Sequence, residues 1–180
     1  MPIVSNDIKT KLSIKTGSAG NASSQSDVNA SLGKYISTTE ITDNTLNNLF
    51  DDISGDENAA STVDYRCIFI HNSHASLSYL SPYVWLSAEV SGGASISIGI
   101  DTTAASAIGN SSAQAVSITN ETTAPAGISF SAPTSKATGL ALGTIAAGYC
   151  RAVWVRRTAA NSSAKDNDGV TISVSGDTSE

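Results

Sequence analysis

The stretch that decides the fold is residues 138–160, which reads TGLALGTIAAGYCRAVWVRRTAA. Its second half, residues 149–157, is the longest β-type run in the chain. In an extended strand Val153 and Val155 point to one side and Trp154 points to the other. Its first half reads as the end of a half-buried strand followed by a corner between two glycines. A strand, a corner and a strand with alternating faces predict a two-layer antiparallel sandwich.

Short β-type runs recur on both sides of this stretch. Eight or so strands separated by turn residues are typical of a sandwich or a jelly roll. We therefore expect an all-β protein, an antiparallel β-sandwich or jelly-roll-like domain with an extended N-terminal arm and one short helix. Beyond the opening stretch, strands are predicted at 8–14, 63–70, 83–90, 94–100 and 170–174, with shorter ones around Val116 and Ile128.

Clean alternation also separates core positions from surface positions. Trp154 has the opposite parity to its valine neighbours, which favours a place on the surface or in a subunit interface. The alternative is that both faces of its strand are covered and Trp154 belongs to the core. The positions expected to form much of the core are Ile96, Ile98, Ile100, Val116, Ile118, Phe130, Val153, Val155, Ile172 and Val174.

The first third of the chain has a different character. Residues 1–60 are expected to form an extended arm, and residues 61–180 the sandwich domain. Residues 16–31 are polar and glycine-bearing, which predicts a long loop that a partner would order. Deletion of residues 2–30 is therefore expected to leave the sandwich folded.

One short helix is predicted near residues 43–53. Asp43 can cap it, and Gly55 ends it. This helix would pack on the chain's own sheet or, as the sharper alternative, on another subunit. Its apolar stripe consists of Leu46, Leu49, Phe50 and Ile53.

Composition limits the classes of function. Among the 180 residues only 14% are charged, and the net charge is −6 with scattered basic residues, so we expect no nucleic-acid partner. No apolar run approaches the roughly 20 residues of a membrane span, and the N-terminus lacks the pattern of a signal peptide. Synthesis in the cytoplasm and buried thiols at Cys67 and Cys150, rather than a disulfide, are therefore expected.

Few residues suggest chemistry. His71 and His74 lie three apart but lack further metal ligands nearby. No Gly-x-Ser-x-Gly elbow, phosphate loop or dinucleotide fingerprint occurs, so neither an enzyme nor a cofactor is expected. Calcium is the alternative at the acidic cluster formed by Asp51, Asp52, Asp56 and Glu57.

The chain resembles small virion proteins of tailed bacteriophages over nearly its full length. The matching residues are Ser31-Leu32-Gly33 with Ser37-Thr38-Thr39, residues 49–55 (LFDDISG), Tyr65-Arg66-Cys67 with Asn72, Leu142-Gly143 with Gly148, and Val153-Trp154-Val155. These motifs carry no catalytic group. The resemblance implies a virion structural protein at a position in the particle that the motifs leave open. Capsid cement proteins of phages are commonly sandwiches or jelly rolls that oligomerise, often as trimers, over junctions of the major capsid protein.

We therefore expect a capsid decoration protein on the outside of the head, where it contacts the major capsid protein and copies of itself, as a homotrimer. The alternatives are a neck, collar or tail-associated virion protein, and a receptor- or glycan-binding module. Tyr79, Tyr83 and Trp85 are close enough to form an aromatic platform for a glycan, although alternation favours Tyr83 and Trp85 as core residues. The candidate partner contacts are Leu32, Tyr35, Ile36, Leu46, Leu49, Phe50 and Trp154.

Overall fold

The computed structural model describes residues 2–17 and 19–179, which fold mostly into antiparallel sheets, with a single short α-helix among the described residues. The expected all-β, sandwich-like fold is confirmed. The strands are β1 (Ile8–Ile14), β2 (Tyr35–Glu40), β3 (Val63–Asn72), β4 (Tyr79–Glu89), β5 (Ser95–Ile100), β6 (Ser106–Ala107), β7 (Leu140–Ala141), β8 (Tyr149–Thr158) and β9 (Val170–Thr178), and the helix is α1 (Gly55–Ala60).

The strands form two sheets of unequal size. The larger sheet has the order β2-β1-β3-β8-β5, and the short β6 also pairs with β8. The smaller sheet has the order β7-β4-β9. β8 pairs with β3 on one side and with β5 and β6 on the other. The stretch at residues 138–160 therefore supplies the central strand of the larger sheet.

The larger sheet is buried on both faces. Val153 and Val155 of β8 lie in the first core, between the two sheets, together with Ile68 and Ile70 of β3. The opposite parity forms a second core, which contains Trp154 and is covered by loop residues rather than by a sheet. The predicted separation of the two faces of β8 is thus confirmed, β3 divides in the same way, and each face is apolar because each is covered.

Trp154 is fully buried, so the alternative that it belongs to the core is confirmed, and its place on the surface or in an interface is wrong. Its indole Nε1 donates a hydrogen bond of 2.7 Å to a carboxylate oxygen of the buried Asp101. Gly33 (φ +90°) crosses this core so closely that a Cβ there would lie 1.9 Å from the carbonyl oxygen of Val116 and 3.0 Å from the Trp154 ring. The glycine is required by both its left-handed backbone and this contact.

The N-terminal third is part of the fold, and the expected detached arm is wrong. β1 lies between β2 and β3 in the larger sheet, and its Leu12 is only 3% exposed. The polar segment after β1 covers the second core and the edge of the sheet, where Thr38 donates a backbone hydrogen bond of 2.9 Å to Ser23. A polar composition did not prevent order because backbone groups, rather than apolar side chains, hold this segment.

The predicted helix near 43–53 is also wrong. Asn44 and Asn47 have φ of +55° and +56°, a left-handed conformation that asparagine tolerates and that interrupts a helix. The observed helix begins later, because Ser54 and Glu57 form a reciprocal capping box. The expected strands around Val116 and Ile128 are replaced by isolated bridges at Ser117 and Ser131.

We predict that deletion of residues 2–30 abolishes folding, because it removes β1 from the interior of the larger sheet. The expected result is loss of near-ultraviolet circular dichroism and of a cooperative thermal transition. A deletion of residues 2–4, which precede the first strand, is the matched control and is expected to keep both signals. A truncated protein lacking 2–30 that still unfolds cooperatively would contradict the assignment of β1 as an interior strand.

Candidate functional site

The structure places most of the predicted partner contacts inside the chain. Phe50 is partly buried against the first core, whereas Leu46 is 70% exposed. The sequence pattern did not separate these residues, because apolar character indicates burial without saying whether the covering surface belongs to the same chain. The predicted contacts that are buried, and therefore unavailable to a partner in this conformation, are Leu32, Tyr35, Ile36, Leu49 and Trp154.

Residues 41–53 form a loop that is anchored at one end of the sandwich by Phe50. The ring of Phe50 contacts two guanidinium groups, with Arg66 at 5.1 Å and Arg157 at 4.7 Å from its centroid. Both arginine side chains are buried, at 0% and 8% exposure. A cation over a ring that is shielded from water contributes about 2 kcal/mol, so this double contact holds the loop firmly.

Carboxylates complete the anchor. Arg157 is 2.8 Å from Asp64, and Arg66 is 2.5 Å from Glu121. Asp51 of the loop lies within ion-pair distance of both guanidiniums, at 3.3 Å from Arg157 and 3.8 Å from Arg66. Arg157 and Asp64 form a buried pair between β8 and β3, and removing one member of such a pair typically costs about 3–5 kcal/mol. Asp51 is 45% exposed, so solvent screens the ion pairs that connect the loop to these arginines. Arg157 is therefore an internal ion-pair member rather than a solvated surface charge.

Leu46 lies at the tip of this anchored loop. The left-handed Asn44 and Asn47 flank it, and the side chain of Asn48 donates a hydrogen bond of 2.8 Å to the carbonyl oxygen of Thr42, which closes the turn. An exposed leucine on a turn that is fixed at both ends is a preorganised apolar contact. Such a contact loses little conformational entropy when it enters a pocket on a partner.

A second exposed feature lies on the outer face of the smaller sheet. Tyr83 and Trp85 are half-buried there, whereas Val84 and Leu86 face the core, so the expectation that the two aromatic residues face the core is wrong. β4 does alternate, but the opposite parity supplies its core residues. The two rings project from the same face about 7 Å apart along the strand.

Hydroxyl groups surround these two rings. Trp85 lies opposite Ser173 in the register of β4 and β9, and Tyr83 lies opposite Ser175. The hydroxyl of Ser173 is 2.7 Å from that of Ser87. Tyr79, the third aromatic residue of the expected platform, is buried in the first core and does not join the other two.

The two histidines of the HNSH motif have separate environments. His71 is 5% exposed, and neither of its ring nitrogens has a hydrogen-bond partner among the described residues. His74 instead accepts backbone hydrogen bonds at Nδ1 from Ser76 and Leu77, at 3.1 and 3.0 Å. His74 therefore stabilises the turn after β3.

The acidic cluster considered for calcium is similarly divided. Asp51 pairs with the two buried arginines, and Glu57 accepts the backbone hydrogen bond of Ser54 in the capping box. Within residues 2–17 and 19–179, no group of three or more His, Cys, Asp or Glu side chains could hold a metal ion. Cys67 and Cys150 are both buried and free. Among the same residues, no helix has the length and apolar character needed to cross a membrane.

Comparison with known proteins adds no family to this description. No protein-family model matches the chain, and neither a curated protein nor a solved structure matches it. The exposed features of the fold are therefore the basis for assigning a function.

We predict an acid-sensitive fold because of His71. Burial is the largest cause that lowers the pKa of this imidazole from 6.5 to about 4; the nearby Lys11 and Lys9 act in the same direction, and Glu40 partly opposes them. The imidazole of the unfolded chain has a pKa near 6.5, so it is protonated at a higher pH than the imidazole of the folded chain. The free energy of unfolding is therefore fully present above pH 6.5 and decreases as the pH falls toward 4. The loss amounts to roughly 3 kcal/mol.

The measurement is the free energy of urea unfolding between pH 4 and pH 7 for the native protein and for His71→Gln. The variant retains every other titrating group, so its stability is expected to fall less over this range. Parallel pH dependence of the two proteins would show that His71 does not carry the effect.

Proposed function

We propose that this chain is a structural protein of a virus particle, of the tailed-phage kind it resembles, and that it decorates the outside of the capsid. The observation that carries the proposal is Leu46, an apolar side chain that is 70% exposed at the tip of an anchored loop. Its partner would be the major capsid protein, with further copies of this chain beside it. A place at the neck, collar or tail is the alternative within the same particle.

The action of such a protein is thermodynamic. A protein bound across a boundary between shell subunits adds buried area that must be exposed before a subunit can leave. Because β1 and β2 belong to the sheet, docking would involve a folded domain rather than an arm that orders on binding. Rigid docking has a smaller entropic cost, which suits a small interface dominated by a few anchor residues.

The loop has the features of such an anchor. Phe50 and Asp51 fix its base on Arg66 and Arg157, and uncharged asparagines surround its tip. An apolar residue at the centre of a contact, with neutral polar residues around it, matches the usual arrangement of an interface core and rim.

A glycan-binding module is the second candidate function, and the outward position of Tyr83 and Trp85 favours it. Aromatic faces stack on the apolar side of sugar rings, and the neighbouring hydroxyls of Ser87 and Ser173 can exchange hydrogen bonds with sugar hydroxyls. In a virion protein this face would contact the host surface while the loop with Leu46 contacts the particle. The two candidates can therefore be tested separately.

For the decoration role we predict that Leu46→Asp reduces attachment to particles by tenfold or more, since an anchor residue contributes about 2 kcal/mol or more. The measurement is co-sedimentation of the purified variant with particles that lack this protein. Val90→Asp is the matched control, because Val90 is also exposed, at 38%, and lies outside the loop. Equal attachment of both variants and the native protein would overturn the role of the loop.

Immunogold labelling of intact particles then distinguishes the positions within the particle. Gold over the head supports decoration, and gold at the neck or tail supports the alternative. Particles without gold would overturn the virion assignment as a whole.

For the glycan-binding role we predict that the native protein binds sugars on a glycan array and that Trp85→Ala abolishes the signal while the fold is retained. Trp85 is only partly buried and lies outside the two cores, so the fold is expected to tolerate the substitution. Tyr149→Ala, which removes an aromatic residue exposed to 38% on the other sheet, is the control. An array without any signal from the native protein would remove this candidate.

A further inference from the structure

β9 is an edge strand whose outer side is open. The strand pairs antiparallel with β4 along its inner side. Within residues 2–17 and 19–179, no backbone hydrogen bond joins the other side of Val170–Thr178 to the rest of the chain. The peptide groups along this side are therefore free to pair with another strand.

The edges of the larger sheet differ, because the chain's own loops close them. On β2, Thr38 donates a backbone hydrogen bond of 2.9 Å to Ser23. On β5, Ile98 and Ser131 exchange two backbone hydrogen bonds of 2.8 and 3.0 Å. Both edges of the larger sheet are thus covered, whereas the nine-residue edge of the smaller sheet is open. This difference indicates that β9 pairs with another strand.

β9 also lacks the features that prevent pairing between strands. It contains neither proline nor lysine, and its single charged residue, Asp177, lies near its end. The ladder between β4 and β9 has two irregularities, and in both the extra residue belongs to β4. Since β9 itself has no inserted residue, its outer side keeps the regular spacing that an added strand requires.

We propose that β9 pairs antiparallel with β9 of a second copy of this chain, about a twofold axis at Ser173. The two smaller sheets would then join into one continuous six-stranded sheet across the dimer. Such an interface is isologous, because the same strand contributes to both sides. This proposal rests on the edge strand alone and is independent of the role in a capsid, and its twofold symmetry differs from the trimer that the resemblance implies.

The sequence of β9 complements itself in this register. Ile172 of one copy would lie opposite Val174 of the other on the core-facing side, and Thr171 opposite Ser175 on the outer side. Asp177 would lie opposite Gly169, so no like charges face each other although each chain has a net charge of −6. Apolar and polar residues are thus matched, and only in a register centred on Ser173 do all these pairs form together.

Incomplete burial along the edge supports the same arrangement. Val170, Ile172 and Val174 pack against the first core but remain only partly buried. A groove of about 260 Å³, lined by Ile3 and Ile8 among others, lies beside Val174 and Gly176. In the proposed register Val170 of the second copy lies opposite Gly176, where it can fill space in this groove.

The first test is site-specific crosslinking of the full chain. In Ser173→Cys the two introduced thiols would face each other across the axis, with Cα atoms about 5 Å apart, a distance that a disulfide spans. In Thr171→Cys, the matched control, the copies of the residue would be separated by four residues along the strand, or about 13 Å. Cys67 and Cys150 are buried and do not compete.

The expected result is a covalent dimer of Ser173→Cys, and not of Thr171→Cys, after mild oxidation and non-reducing electrophoresis. Equal crosslinking of both variants would indicate random collision and would overturn the register. Absence of crosslinking in both would overturn the interface.

The second test uses charge without a thiol. Thr171→Lys with Ser175→Lys would place lysines opposite each other at two symmetric positions, whereas Thr171→Lys with Ser175→Glu would place opposite charges there. Sedimentation equilibrium is expected to show a dimer dissociation constant about tenfold higher for the first double variant than for the second. A native protein that is monomeric in this measurement, or one that forms trimers unaffected by either variant, would overturn the proposal.

Discussion

The hydrogen bond from the Trp154 indole to Asp101 is the interaction on which the second core depends. The same carboxylate accepts backbone hydrogen bonds from Val116 at 2.9 Å and from Thr103 at 2.7 Å. A buried carboxylate is tolerated only when several donors satisfy it, so the two segments that carry Thr103 and Val116, on either side of β6, must lie close to the sheet at this position. One side chain of the central strand thereby fixes the cover over a whole face.

The other face of the central strand has a different cover. Val153 and Val155 pack against the smaller sheet, and sheet-on-sheet packing supplies most of the first core. At one end of this core the apolar contacts give way to Arg66 and Arg157, which both contact the ring of Phe50. The exposed loop is therefore fixed by the same two strands that form the middle of the larger sheet, and the position of Leu46 follows from the fold.

Exposed features of this protein fall on separate elements. The loop with Leu46 lies at an end of the sandwich, the rings of Tyr83 and Trp85 lie on the outer face of the smaller sheet, and the open edge belongs to β9. The aromatic face and the open edge both involve β9, because Ser173 lies opposite Trp85 and also on the proposed twofold axis. A dimer through β9 would place the aromatic faces of two copies side by side on one continuous sheet.

The sequence by itself determined the all-β fold, the strands around residues 63–70 and 149–157, and the division of their side chains between two faces. These properties are local, since a strand of period two has two faces whatever surrounds it. Tertiary structure alone decided what covers each face. Trp154 is buried by loops from elsewhere in the chain, and Tyr83 and Trp85 lie on the face of the smaller sheet that points away from the first core. Leu46 was predicted as a partner contact because it belongs to a helical spacing, and that helix does not form. Its exposed position instead follows from the contacts of Phe50 with Arg66 and Arg157, which are far from it in sequence. Alternation gives the parity of a strand, but the side that faces solvent is set by packing partners that no local pattern encodes.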